Sequence, residues 1–210
     1  MNFRAKAPKT IGARVVFLLG VLFCLAGCGR DPFLHRMKPL PAETPCRIAV
    51  LPLINETDYP LAETIVYKVF SVELTEMGNF WLAQEGDIRK IFQQFRIYPG
   101  QPLSPEQMKI LADRLNVQLL ITGNIIQMQE NPGPNGSVNP ELAVRLSILN
   151  ADTIETLWST YHRRQGIDYQ TTMHFGQINS MTRLCRQVAK EIINLWFEQG
   201  LTPCDITSQY

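Results

Sequence analysis

Val117–Gln129 reads VQLLITGNIIQMQ, an apolar-rich run interrupted by a single glycine, Gly123. The Pro-, Gly- and Asn-rich stretch 131–139 (NPGPNGSVN) follows and has turn chemistry. Ala143–Leu149 then alternates, with Val144, Leu146 and Ile148 on one face and Arg145 and Ser147 on the other. Asn150–Thr153 suits a tight turn, and Thr156–His162 suits a returning strand. These residues describe a long strand that opens an antiparallel meander. Gly123 inside it predicts a bulge or a close backbone approach.

Upstream, Arg47–Leu53 (RIAVLPL) is apolar on both faces, as in a strand covered from both sides. Pro60 opens a helix whose apolar face is Ala62, Ile65, Val66, Val69, Phe70 and Val72, closed by Gly78. Phe80–Ala83 reads as a short strand. Ile88, Ile91, Phe92 and Phe95 recur at helical spacing, and Tyr98-Pro99-Gly100 breaks the pattern. Ser104-Pro105-Glu106-Gln107 is a capping box ahead of Met108, Leu111, Ala112 and Leu115. Downstream of the meander, a last helix is expected from about Phe175 to Gly200. Its stripe is Ile178, Met181, Cys185, Val188, Ile192 and Trp196. The order is β-α-β-α-α-β-β-β-α, a single α/β (α+β) domain with a mixed sheet flanked by helices.

The amino-terminal end has a different character. The chain has 20 Lys+Arg and 19 Asp+Glu; Arg4, Lys6, Lys9 and Arg14 fall in the first 27 residues, which contain no acid. The rest holds 16 basic and 19 acidic residues, a net −3 that argues against a nucleic-acid binder. Residues 15–26 (VVFLLGVLFCLA) are uncharged and too short for a comfortable membrane span. They fit the core of a secretory signal. Leu25-Ala26-Gly27-Cys28 resembles the lipobox of bacterial lipoproteins at all four positions. That resemblance implies cleavage before Cys28, acylation of Cys28 and a stable lipid anchor. Gly29 rather than Asp after it implies an outer-membrane address with the domain in the periplasm. The expected division is 1–27 signal peptide, 28–46 lipidated Cys and Pro-rich tether, 47–204 folded domain and 205–210 tail. Pro32, Pro39, Pro41 and Pro45 leave no helical or strand period in the tether.

Cys24 leaves with the signal and Cys28 takes lipid, so Cys46, Cys185 and Cys204 meet an oxidising compartment. Three cysteines allow at most one intrachain disulfide. Cys46 precedes the first strand and Cys204 follows the last helix, so a 46–204 bridge would tie the two ends of the domain. Cys185 sits on an apolar stripe and reads as a buried free thiol.

With these elements placed, residues 46–200 resemble a bacterial envelope superfamily whose members include the TolB amino-terminal domain, CsgG and LpoB. The likeness rests on Ile48-Ala49-Val50-Leu51-Pro52-Leu53-Ile54-Asn55, Met77-Gly78-Asn79-Phe80, Leu115–Gly123, and the hairpin from Val144-Arg145-Leu146 to Trp158-Ser159. Asn116 departs from a usual Gly, and Asn150-Ala151-Asp152-Thr153 departs from a usual Asp-x-x-Thr-Gly turn.

No nucleophile elbow, phosphate loop, His-Glu-x-x-His or Cys-x-x-Cys occurs, so the expectation is no enzyme, no metal and no cofactor. His35, His162 and His174 are not spaced as zinc ligands. Arg163-Arg164 reads as a solvated strand edge, with anionic lipid headgroups as the alternative. Asn55 reads first as a cap on the turn before Pro60, and otherwise as a partner contact. Trp196 and Phe197 read first as core, and otherwise as a partner surface. The resemblance implies a binding or assembly factor for a periplasmic or outer-membrane protein, with a peptidoglycan synthase as the LpoB-like partner. It is compatible with oligomers. The alternative is a CsgG-like secretion or outer-membrane assembly component, which needs membrane-spanning hairpins.

Overall fold

A computed structural model describes residues 31–98, 100–172 and 175–204. Within the unit that starts at Pro32, seven strands form one mixed sheet: β1 (Phe33–Arg36), β2 (Arg47–Val50), β3 (Ile54–Asn55), β4 (Trp81–Leu82), β5 (Leu119–Pro132), β6 (Val138–Asn150) and β7 (Thr156–Gln165). The spatial order is β1-β7-β6-β5-β2-β4, with β3 paired beside β5. β2 lies parallel to β4 and β5, whereas β5, β6, β7 and β1 run antiparallel in turn.

Four helices cover the sheet: α1 (Ala62–Gly78), α2 (Glu85–Gln94), α3 (Pro105–Leu115) and α4 (Met181–Glu198). Strand alternation sends β2 side chains to opposite layers. Ile48 and Val50 join a core with Val66, Phe70 and Leu74 of α1 and Leu184, Val188, Ile192 and Trp196 of α4. Ala49 and Leu51 join a second core with Ile88 and Ile91 of α2 and Leu111 and Ala112 of α3. Both faces of β2 are therefore buried, as its continuous apolar run requires. The apolar residues of β6, Leu142, Val144, Leu146 and Ile148, face α1 and α4, while Arg145 stays exposed.

Local signals explain several boundaries. Ser104 Oγ accepts from Gln107 N at 3.2 Å, and Gln107 Oε1 accepts from Ser104 N at 2.8 Å, completing the capping box of α3. Gly123 lies against β6 so closely that a Cβ there would meet Arg145 O at 2.1 Å. The register shift of β5 comes later, between Ile125 and Gln127.

Three expectations need correction. Residues 33–36 are not tether but an edge strand, Phe33 opposite Tyr161 and Arg36 opposite Trp158. Met37 N and Lys38 N extend the attachment by donating to Leu157 O. An edge strand pairs through backbone alone, so it needs no amphipathic period, and Pro39 lies just beyond it. The turn is shorter than the stretch 131–139: Asn131-Pro132 and Val138-Asn139 are strand, and only Gly133–Ser137, with a 3-10 turn at Pro134–Gly136, connects β5 to β6. Finally, α4 starts at Met181 rather than Phe175, because Ser180 Oγ accepts from Arg183 N. Ile178 is buried just before the helix, where its N–H donates to Gly166 O.

Candidate functional site

The chain leaves β2 through Leu51-Pro52-Leu53, pairs briefly as β3, and turns into α1. That path opens a cleft of about 170 Å³ beside the carboxyl end of β2, lined by Pro52, Leu53, Glu63, Arg89, Phe92 and Ile97 among others. Crevices at the carboxyl ends of strands are where open α/β sheets bind ligands. Burial raises the Glu63 carboxyl above its ordinary pKa, and the Arg89 guanidinium draws it back down. Arg89 is itself held by Glu85, with Nη2 2.7 Å from Oε1. At the mouth of α1, Leu61 is 72 % exposed and sits at φ 57°, a left-handed conformation that costs a bulky residue strain. The cleft is an apolar trough with one carboxylate and one guanidinium. It can bind, but it presents no paired nucleophile and base.

Asn55 lies nearby but its polar atoms are spent locally. Oδ1 accepts from Thr57 N at 3.0 Å and Thr57 Oγ1 at 2.7 Å, and Nδ2 donates to Tyr59 O at 3.4 Å. This is a side-chain-capped turn of the kind that precedes a helix start. Trp196 does not belong to any partner surface: it is wholly buried, edge-on to Phe70 at 5.7 Å. Its indole finds a hydrogen-bond partner inside, which is what allows so large a side chain to be interred. Phe197 is half-buried and packs beside Phe80 at 6.2 Å.

The residues that sequence reasoning missed surround Glu191 on α4. Its Oε2 lies 2.5 Å from His162 Nε2 and accepts from Arg164 Nε at 2.8 Å. Its Oε1 accepts from Tyr169 Oη at 2.9 Å and Gln187 Nε2 at 3.1 Å. Burial alone would raise this carboxyl, but the bonds from His162, Arg164, Gln187 and Tyr169 outweigh it and hold the pKa at about 2. Because an ionised carboxylate only accepts, His162 Nε2 carries the hydrogen. With both oxygens occupied and His162 only 2 % exposed, the group is a staple between β7 and α4, not an acid–base pair. The detectable signals were the inward register of His162 on β7 and the i,i+4 spacing of Gln187 and Glu191. Glu73, also buried, meets Arg186 at 2.8 Å and Lys190 at 3.7 Å and ties α1 to α4 in the same manner.

Cys46 and Cys204 are joined in a disulfide, with Cα atoms 5.5 Å apart. Cys185 is free and buried, and burial pushes its thiol pKa up to about 12. Leu25, Ala26, Gly27, Cys28 and His174 lie outside the described residues. Among the described residues no group of three or more His, Cys, Asp or Glu side chains could hold a metal ion. No described helix is long and apolar enough to cross a membrane.

The overall fold is shared with solved structures. PelC from Paraburkholderia phytofirmans, solved as a dodecamer, superposes with a TM-score of 0.53 at 13% identity, over 77% of this chain and 95% of that one. The lipoprotein GNA1162 from Neisseria meningitidis superposes at 0.53 with 12% identity, over 73% and 99%. The chain thus shares its fold with PelC and with the lipoprotein GNA1162. The carboxy-terminal domain of LpoB from Salmonella enterica overlaps more loosely, at 0.45 with 16% identity over 60% of this chain and 87% of that domain. No protein-family model and no curated protein sequence matches the chain.

Proposed function

We propose that the chain is a non-enzymatic outer-membrane lipoprotein, anchored through acylated Cys28, whose periplasmic domain binds or helps assemble an envelope partner. The observation that carries this reading is the spacing between the lipobox and the fold. Cys28 stands five residues before Phe33, where the sheet begins, so no more than about 18 Å of extended chain links the two. A domain held that close acts at its own membrane. The short reach weighs against an LpoB-like encounter with a synthase across the cell wall. The cleft lined by Leu53, Arg89, Phe92 and Ile97 is the partner site this reading favours. Self-assembly is a natural second mode, because PelC, whose fold is shared, is a dodecamer.

The secretion-pore alternative draws less support. The β5–β6 hairpin is long enough to span a bilayer, but Leu142, Val144, Leu146 and Ile148 are committed to the core against α1 and α4. The test is photocrosslinking in intact cells from a reactive residue placed at Gln93 on the cleft rim. An adduct with a second envelope protein, or with another copy, is expected. Recovery of the uncrosslinked lipoprotein alone contradicts the reading.

A further inference from the structure

The cleft beside β2 owes its shape to two local structures. Leu53 belongs to the core with Val66 and Phe70, whereas Pro52 and Ile54 on either side of it are half-buried and line the cleft. A second wall comes from the way α2 ends. Arg96 closes that helix at φ 56°, with its N–H donating to Gln93 O at 3.0 Å, and Ile97 N donates to Phe92 O at 3.0 Å. This paired bonding folds the residue beyond the cap back onto the last turn, so Ile97 and Phe92 line the cleft together.

Volume limits what can enter. The cleft of about 170 Å³ is smaller than the roughly 300–1,000 Å³ of small-molecule sites and close to the roughly 150 Å³ of an apolar cavity that takes benzene. It holds one aromatic ring and no more. Charge then selects what stands next to the ring. Arg89 commits Nε and Nη2 to Glu85 Oε1, both at 2.7 Å. Glu63, in the first turn of α1, is half-buried, and burial opposes its ionisation. The charges acting on it are Arg89, which favours the ionised form, and Glu85, which opposes it. Two carboxylates therefore share one guanidinium, and a further cation at the cleft completes the set.

We propose that the cleft takes a single phenylalanine-type ring from an extended segment of the partner protein, with a Lys or Arg next to that ring in sequence paired to Glu63. The inference rests on the reading of the cleft as the partner site and names what occupies it. An aromatic anchor in a fitted pocket, with a charge at its rim, is the arrangement that concentrates binding energy in few residues.

Methyl NMR of the full chain, purified from membranes in detergent and titrated with three capped dipeptides, tests this. The probes are acetyl-Phe-Lys-amide, acetyl-Ala-Lys-amide and acetyl-Phe-Glu-amide. The Phe-Lys probe should shift the Ile54 and Ile97 methyl signals saturably and leave the buried Ile192 methyls unmoved. Removing the ring and reversing the charge should each weaken binding about tenfold. In Glu63→Gln the Phe-Lys and Phe-Glu probes should bind within about threefold of each other. The three probes on the native chain decide the case even where that variant does not fold. An equal response to all three, or no saturable shift at Ile54 and Ile97, overturns the aromatic anchor. An adduct captured from Gln93 alongside that result leaves the partner site standing; no adduct either overturns both.

Discussion

The indole Nε1 of Trp196 donates a 2.7 Å hydrogen bond to Oγ1 of Thr160, and both side chains are completely buried. This contact fixes the last turns of α4 on β7 and gives Trp196 a structural role. Trp196→Ala should cost about 4 kcal/mol of stability through the cavity it leaves. Trp196→Phe should cost about 1 kcal/mol for the lost bond. Chemical denaturation of the two variants separates this from a surface role, which predicts no change in stability.

The cysteines make a countable prediction. Denatured, unreduced, processed protein should alkylate at one thiol, Cys185, and at three after reduction. In the native state Cys185 should stay unreactive at neutral pH, because its pKa is near 12 and it is buried. Cys46→Ser should lower stability by about 2–5 kcal/mol, since the bridge closes most of the domain into one loop with a sequence separation of 158. Peptide mapping and thermal melts check both.

Acid should loosen α4 from β7. The Glu191 pKa is depressed, so its contribution is complete above the ordinary carboxylate range near 4.5 and is lost as pH falls toward 2. Glu191→Gln should flatten that part of the stability-versus-pH profile. Glu191→Ala should cost about 3 kcal/mol at neutral pH by leaving His162 and Arg164 without their acceptor. Urea melts between pH 2 and pH 7 give the profile.

Leu61, two residues before the cleft-lining Glu63, is held in a left-handed conformation and is largely exposed. Leu61→Gly relieves that strain and should stabilise the domain by about 1 kcal/mol. If the cleft is where the partner binds, the same change should reduce crosslinking from Gln93, so stability and capture move in opposite directions.

Periodicity carried most of the architecture. The double-sided run at 47–53, the helical spacing of Ile88, Ile91 and Phe92, and the alternation of Val144, Leu146 and Ile148 each state which layer they join. Phe33–Arg36 was not legible because an edge strand needs only backbone partners, which a pattern of side chains does not encode. The start of α4 was blurred because Ile178 extends the apolar stripe of α4 although it precedes the helix. Glu191 was missed because its partners, His162, Arg164 and Tyr169, are brought to it only by the return of the chain onto β7. The cleft was not indicated, because Leu53, Glu63, Arg89 and Ile97 come from separate segments that only the fold brings together.

Tandem mass spectrometry of the amino-terminal peptide, taken from protein extracted from membranes, bears most directly on the account. A chain beginning at Cys28, acylated on sulfur and on its new amino terminus and followed by Gly29, is the predicted result. A peptide that retains residues 1–27, or that carries Cys28 as an unmodified thiol, contradicts it.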